Sequence, residues 1–305
     1  MPFSMDTGVE VQKLFTDTFN EEQNKQHEEK LKHYSDFRDE LRELRQSGHR
    51  IQGDPLPWSD DKIDLVKLRM GEITIWTGSN FTGKSLLTGQ IAVSLATQHR
   101  VALASFEMKP VRTLERMQKQ CLLGKNPTER SENLFFSALN LWIYAHIGQL
   151  NLPTVIGFAQ YAAKQGCRHI FIDSLMMCTA DDDYTAQKDI VLRLQDVAKE
   201  HNVHIHLIAH NRKPASTGHK LTRFNILGTS GISNTADNVF IVDAVDPDDL
   251  VEGEPTHFLK IDKHRHGEYK GTLAFWLDSE TLQFRRSQHE PAHDYLQIRK
   301  IVRVA

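Results

Sequence analysis

The sequence feature that most restricts the possible folds of this chain is a glycine-bounded segment, GSNFTGKS, at residues 78–85. It follows a short apolar run at residues 73–77 and precedes a helix-forming stretch. The glycines let the backbone curl so that successive N–H groups face one point, and a helix N-terminus adds partial positive charge. The segment therefore predicts a site for the phosphates of ATP or another nucleoside triphosphate. Its residues are Gly78, Ser79, Asn80, Phe81, Thr82, Gly83, Lys84 and Ser85.

Around this loop, apolar strands alternate with helices. Strands that are apolar throughout are buried on both faces, which is typical of a mostly parallel sheet flanked by helices, an α/β fold. The expected strands are residues 73–77, 101–106, 141–147, 169–173, 203–209, 239–243, 256–262 and 271–277, the last two antiparallel. The expected helices are residues 84–97, 155–164 and 186–201.

The first part of the chain differs in composition. Residues 1–57 are polar and highly charged, and Pro55 and Pro57 mark a linker to a single domain at residues 58–305. Apolar side chains recur there at spacings of three and four, which predicts one face of a helix that ends at Gly48. This face either packs on its own domain or docks on a neighbouring subunit. It consists of Leu31, Tyr34, Phe37, Leu41 and Leu44.

The composition excludes several classes of protein. No apolar run approaches the ~20 residues that a membrane span needs, and the N-terminus lacks the pattern of a signal peptide. Three cysteines without a Cys-x-x-Cys pair fit a reducing compartment rather than a disulfide scaffold. We therefore expect a cytoplasmic protein with no membrane partner. The net charge of −3 argues only weakly against nucleic-acid binding, because positive charge can be confined to a few loops.

Three candidate site residues follow predicted strands. Asp173 is expected to hold Mg²⁺ together with Ser85, the alternative being a turn or N-cap aspartate. Glu107 follows a strand expected to neighbour the phosphate-loop strand, so it can act as a general base on water; a capping or salt-bridging glutamate is the alternative. His210 can donate to a γ-phosphate and report its loss, unless it is an ordinary structural histidine. Lys84 is expected to reach the β- and γ-phosphates.

Further motifs follow in a fixed order. They are SFEM at 105–108, IDSL at 172–175, HNRKP at 210–214, GTSG to ADNV at 228–239, and KHR at 263–265 with Gly267, Gly271 and Phe275. Together with the phosphate loop, they resemble the DnaB-type hexameric replicative helicases, which are RecA-like enzymes of superfamily 4. The resemblance covers roughly residues 65–284. His210 makes it closest to the phage primase-helicase and Twinkle branch, although the chain shows no primase region.

This resemblance implies a RecA-like core in a ring of six subunits, with ATP between subunits and single-stranded DNA in the pore. Arg265 matches the arginine finger that reaches the neighbour's γ-phosphate, a surface arginine on a hairpin being the alternative, and Lys263 matches its basic companion. Phe275 matches an aromatic that stacks on adenine, and a core strand position is an equal alternative. Asn234 stands where the family usually has glutamine, which leaves its role as a phosphate sensor open.

The resemblance also implies a DNA-binding pore loop at residues 213–225. Flexible basic loops can follow a phosphate backbone without reading sequence, although an ordinary solvated loop is the alternative. The basic residues of this loop are Lys213, Lys220 and Arg223.

Three functions are consistent with these features. The first is an ATP-driven motor that moves on single-stranded DNA and unwinds duplex, 5′-to-3′ as its family does. The second is a RecA-like DNA-dependent ATPase without unwinding activity, recombinase-like or accessory. The third is a nucleotide-switched regulator or loader. The Lys263 and Arg265 motif favours the first, with further copies of the chain, a primase or a loader as expected partners. The chain's size suggests a phage or prophage origin, and hence the host bacterial cytoplasm.

Overall fold

The computed structural model of this chain describes residues 30–46, 53–178, 184–210, 230–267 and 269–297. It divides into two compact units, Met1–Arg50 and Ile51–Ala305. The boundary thus precedes the expected one at 57/58, and the two prolines predicted to mark a linker fall within the larger unit. There, strand β1 (Asp54–Pro55) pairs antiparallel with β2 (Lys67–Leu68), and the side chain of Leu56 is buried in the core.

In the smaller unit, a 3-10 helix at Tyr34–Phe37 leads into helix α1, Arg38–Gln46. The predicted helix is interrupted before Tyr34, since residues 31–33 are not helical and His33 caps the 3-10 turn: its ring accepts the Ser35 N–H, and its own N–H donates to Asp36. Gly48 lies outside the described residues. The described side chains of the apolar stripe are exposed, namely Leu31, Tyr34, Phe37 and Leu41.

The larger unit is built on one sheet, and strands were found at or near every position predicted for them. Within the described residues the sheet has nine strands. They are β3 (Ile73–Thr77), β4 (Val101–Ser105), β5 (Leu141–Tyr144), β6 (His169–Asp173), β7 (His204–Ile208), β8 (Asn238–Ala244), β9 (His257–His264), β10 (Gly271–Asp278) and β11 (Gln283–Arg285).

The strand order is β11-β10-β9-β8-β3-β7-β6-β4-β5. Neighbours from β8 to β5 are parallel, whereas β9, β10 and β11 add an antiparallel edge. The fold class is therefore the expected one, α/β with a mostly parallel sheet. One expectation was wrong: β4 does not neighbour the phosphate-loop strand β3, because β7 and β6 lie between them.

Helices cover both faces of the sheet. Two of them, α2 (Lys84–Ala96) and α3 (Pro110–Cys121), pack on one face, and α5 (Leu152–Lys164) and α6 (Tyr184–His201) pack on the other. Alternation along β3 supplies both cores, since Ile73 and Ile75 point to one side and Trp76 to the other. The other helices of this unit within the described residues are α4 (Glu129–Ala138) and α7 (Ser230–Thr235).

Three helices, α3, α4 and α7, and three short strands, β1, β2 and β11, were not predicted. Helix α3 carries Pro110 in its first turn, and α4 follows a capping box made by Thr128 and Ser131. These local start signals lie in polar stretches where apolar spacing is uninformative. Helix α7 and strands β1, β2 and β11 are too short for a periodic pattern. Among the described residues, no helix combines the length and apolarity required to cross a bilayer.

Candidate nucleotide-binding site

Four predicted site features meet at one edge of the sheet. Because neighbouring strands from β8 to β5 are parallel, their carboxyl ends share this edge. The phosphate loop leaves β3 there, Asp173 ends β6, Glu107 follows β4 and His210 follows β7. Ligands of open parallel sheets bind at such carboxyl ends, so the topology places these groups where a nucleotide would bind.

The backbone of the phosphate loop requires its glycines. A Cβ on Gly78 would lie 2.0 Å from the carbonyl oxygen of Val242, so a side chain there would collide with β8. Gly83 has φ +78° and is the N-cap of α2, in the left-handed region that other residues rarely adopt. The Thr82 hydroxyl donates to the carbonyl oxygen of Ser79 at 2.9 Å, which closes the loop on itself. The curled backbone is thus present in the protein alone.

Lys84 is buried at the start of α2. Its Nζ donates to the carbonyl oxygens of Gly78 and Ser79, at 3.0 and 2.6 Å. Burial lowers the pKa of Lys84, while the nearby carboxylates of Asp173 and Glu107 oppose that shift. A triphosphate would offer the ammonium group a charged partner in place of the loop carbonyls.

The residues near Asp173 fit a hydrated Mg²⁺. Asp173 is 8 % exposed, and one of its oxygens, Oδ1, is buried without a hydrogen-bond partner, as is Oγ of Ser105. The pKa of Asp173 is raised to about 6, mainly by burial and also by the charge of Glu107, while a hydrogen bond with Ser85 opposes the shift. Carboxylate and hydroxyl oxygens are the ligands that Mg²⁺ prefers, and a cation would satisfy the buried oxygen. Ser85 and Asp173 are therefore the residues that would hold the metal.

Glu107 reaches the site through a hydrogen-bonded network. Ser174 donates its hydroxyl to Oε1 of Glu107, and Nε2 of His210 lies 3.1 Å from the same oxygen. The other ring nitrogen of His210, Nδ1, lies 2.8 Å from Oδ1 of Asn80 in the phosphate loop. The hydrogen bond from His210 lowers the pKa of Glu107, against the effect of partial burial. Glu107 is thus ionised and linked through one imidazole to the loop that would bind phosphate.

Lys263 and Arg265 lie at the end of the strands opposite the phosphate loop. Near the end of β9, His264 pairs with Asn238, the first residue of β8, while the phosphate loop follows the far end of the parallel strand β3. Lys263 and Arg265 therefore do not join the phosphate site of the same chain.

The two predicted aromatic contributors differ in exposure. Phe275 is 1 % exposed and packs against Trp58 and Phe284, with ring centroids 4.6 and 6.4 Å away. This corrects the adenine-stacking interpretation in favour of its alternative, because a ring buried in the core presents no free face to a base. Phe81, by contrast, is fully exposed with φ +65°, so it contributes its backbone to the loop.

The predicted DNA-binding residues Lys213, Lys220 and Arg223 lie outside the described residues. Conversely, the structure adds two side chains that the sequence analysis did not single out, Ser174 and Asp237. Ser174 directly follows Asp173 in the IDSL motif, so a hydroxyl next to the aspartate predicted to hold Mg²⁺ was the available signal. Asp237 belongs to the ADNV motif but had no assigned role.

Solved structures with the same fold include an ATPase domain and a helicase. The structure described as an ATPase domain superposes with a TM-score of 0.69 at 17 % identity, covering 82 % of this chain and 96 % of that one. A DnaB-like replicative helicase, solved in a study of its interactions with primase, gives a TM-score of 0.68 at 16 % identity, covering 83 % and 67 %. At these identities the likeness establishes the fold, which is the RecA-like ATPase fold of DnaB-type helicases.

The sequence also matches a family model described as an AAA domain, over residues 38–216. The match spans more than half of the chain and includes the phosphate loop, Glu107, Asp173 and His210. The geometry of the site and this match agree on a nucleotide-binding ATPase domain, and the chain belongs to the AAA domain family.

Proposed function

We propose that this protein is an ATP-driven motor that moves along single-stranded DNA as a ring, 5′-to-3′, and unwinds duplex in replication. The observation that carries the proposal is the separation of two half-sites. A phosphate site with an ionised glutamate lies at one edge of the sheet, and Arg265 lies at the other. An arginine so placed can serve a nucleotide held by another copy of the chain, which is the arrangement of a ring ATPase.

In the proposed reaction, Lys84 and the loop N–H groups bind the β- and γ-phosphates. Ser85 and Asp173 hold Mg²⁺, which neutralises charge on the phosphates when bound. Glu107 accepts a proton from the attacking water, whose oxygen bonds to the γ-phosphorus as the bond to the β–γ bridging oxygen breaks. Arg265 of the adjacent subunit stabilises the charge that develops on the γ-phosphoryl oxygens.

His210 would couple hydrolysis to DNA. Its ring contacts Glu107 and Asn80, and it is followed immediately in sequence by the segment predicted to bind DNA through Lys213, Lys220 and Arg223. Loss of the γ-phosphate would change the partners of His210 and thereby bias the adjoining segment between two arrangements. A primase or a loader is a proposed additional partner, by analogy with the primase named for the DnaB-like relative.

The test is ATP turnover measured against protein concentration, with and without single-stranded DNA, for the wild type and Arg265→Ala. We expect turnover to rise with concentration and with DNA, and the variant to lose on the order of 10³-fold while still binding ATP. An active variant, indifferent to DNA and concentration, would instead indicate a nucleotide switch.

Strand displacement on a forked duplex then separates a helicase from a DNA-dependent ATPase that does not unwind. Duplexes with only a 5′ or only a 3′ single-stranded tail report the direction of movement. DNA-stimulated turnover without displacement of any of these substrates would contradict the helicase proposal and favour the recombinase-like or accessory alternative.

A further inference from the structure

Asp237 is a buried carboxylate that the proposed reaction leaves unused. It lies between α7 and β8, and its side chain is 4 % exposed. Its Oδ1 is 2.9 Å from Nη1 of Arg265, and its backbone carbonyl accepts the backbone N–H of Arg265 at 3.0 Å. One residue therefore holds both the guanidinium group and the main chain of the arginine.

The carboxylate of Asp237 is itself fixed by other elements. Its Oδ2 accepts the backbone N–H of Ile73 at 3.1 Å, and Nε2 of Gln195 lies 3.3 and 3.2 Å from its two oxygens. Ile73 begins β3, and Gln195 lies on α6. Because donors from separate elements contact both oxygens, the carboxylate is held in one orientation and cannot rotate freely.

The C-terminal end of α7 provides a second anchor. The last carbonyl groups of a helix have no partner within the helix, so cationic side chains can bind them. Nη2 of Arg265 lies 3.3 and 3.2 Å from the carbonyl oxygens of Asn234 and Thr235. Nζ of Lys263 donates to carbonyl oxygens of the same segment at 2.6 to 3.1 Å. Both cations are thus held to one short stretch of backbone.

Arg265 nevertheless keeps donors for a ligand. A guanidinium group carries five N–H donors, and the contacts described above use only its two terminal nitrogens. Its side chain is 37 % exposed, whereas that of Asp237 is buried. An arginine that is held yet accessible can meet a developing charge without first losing conformational freedom.

We propose that Asp237 is the positioning residue of Arg265, which it holds in the orientation needed at the γ-phosphate of a nucleotide bound by the adjacent subunit. This inference rests on the proposed function. Asp237 is bonded to the first residue of β3, and the phosphate loop leaves the other end of that strand. The two half-sites of each subunit are therefore tied to opposite ends of one buried strand, which sets the position of the arginine relative to the loop.

The first test is Asp237→Asn, which keeps the shape of the side chain and removes the ion pair. We expect DNA-stimulated turnover to fall on the order of 10²-fold, with the Kd for a fluorescent ATP analogue unchanged. The matched control is Asp262→Asn, because Asp262 is a carboxylate on β9 whose ion-pair partner Lys260 lies 2.9 Å away. Gln195→Met removes a donor to the Asp237 carboxylate but keeps the carboxylate itself, so it should lower turnover roughly tenfold. This variant replaces Asp237→Asn in the test if Asp237→Asn does not fold.

A double-mutant comparison and a mixing experiment separate positioning from stability. Asp237→Asn in an Arg265→Ala background should cause no further loss. Mixing Asp237→Asn with Lys84→Ala subunits should restore turnover, because the second kind supplies an intact arginine to the nucleotide site of the first. Additive losses, or a mixture that rescues Arg265→Ala but not Asp237→Asn, would overturn the proposal and leave the proposed function standing. Full turnover by Arg265→Ala alone would contradict the shared site, and the positioning role with it.

Discussion

The carboxylate of Glu107 depends on groups from other segments of the chain. Ser174 follows β6, His210 follows β7 and Asn80 lies in the phosphate loop, and all three belong to the network around it. Glu107 is 39 % exposed, so one side of the carboxylate is open to water. An ionised, oriented and accessible carboxylate is the form that a general base requires.

Replacing Glu107 by Gln should therefore abolish turnover without abolishing nucleotide binding. The amide keeps the shape and the hydrogen-bonding oxygen but cannot accept a proton, and general bases contribute typically 10²–10⁴-fold to rate. Single-turnover hydrolysis and analogue binding, measured in parallel, check this expectation.

The control for this variant is Glu115→Gln. Glu115 is an exposed glutamate that pairs with Arg112 at 2.8 Å on α3, and its removal should leave hydrolysis unchanged. Substantial hydrolysis by Glu107→Gln would show that another group, or none, accepts the proton.

At the scale of secondary-structure elements, adjacent strands are joined by a buried chain of hydrogen bonds. Nε1 of Trp76 on β3 donates to Nδ1 of His206 on β7 at 3.2 Å. Because an indole nitrogen can only donate, Nε2 of His206 must carry the proton toward Nδ1 of His169 on β6, 3.1 Å away. His169 then donates from Nε2 to Oδ2 of Asp54 on β1 at 2.9 Å. The imidazoles of His206 and His169 in this series of hydrogen bonds are neutral, and each has a defined tautomer.

The neutral, buried histidines predict that the free energy of unfolding falls as the pH is lowered. Burial lowers the pKa of His206 well below its ordinary value and that of His204, its neighbour on β7, to about 3. Below the unfolded pKa of about 6.5, the unfolded chain binds protons that the folded chain excludes. Each such histidine then lowers the free energy of unfolding by about 1.4 kcal/mol per pH unit, and this loss continues until the folded pKa is reached.

Urea unfolding of His206→Phe between pH 6.5 and 5 tests this expectation. The variant should be less stable than the wild type near neutrality, since Trp76 and His169 lose a partner, but its stability should fall less steeply with acid, by about 1.4 kcal/mol per pH unit. His289→Phe, which replaces an exposed histidine, should retain the wild-type slope. If stability falls equally steeply with acid in the wild type and both variants, the buried His206 is not neutral as argued.

At the scale of the whole molecule, the overall charge does not favour DNA. With a net charge of −3, long-range attraction to a polyanion is absent, so affinity has to come from a local cluster of cations. The proposed cluster is Lys213, Lys220 and Arg223. In a plot of log affinity against log salt concentration, each contact with a phosphate of single-stranded DNA makes the negative slope steeper by about 0.7.

Single-stranded DNA binding measured over a range of salt concentrations should therefore respond to each of these residues. Alanine at Lys213, Lys220 or Arg223 should weaken binding and reduce the slope by about 0.7, independently of base sequence. Lys125→Ala, which removes an exposed lysine outside this segment, is the control. A slope unchanged in all three variants would place the DNA contacts elsewhere.

The sequence by itself determined the class of the fold and most of the candidate phosphate site. A glycine-bounded loop between an apolar strand and a helix is a local pattern, because the residues that shape the loop and bind phosphate are contiguous. The same holds for the position of Asp173, Glu107 and His210 after apolar strands, since parallel strands place their carboxyl ends together. These features follow from periodicity and residue type alone.

Only the tertiary structure decided which strands are neighbours and which side chains share partners. The strand of Glu107 is separated from the phosphate-loop strand by β7 and β6, yet His210 bridges the two across the sheet. Phe275 is a core residue because Trp58 and Phe284 cover it, and Asp237 meets Arg265 because β9 returns antiparallel to the start of β8. Such contacts depend on strand order and register, which join residues far apart in the chain and leave no periodic signal in the sequence.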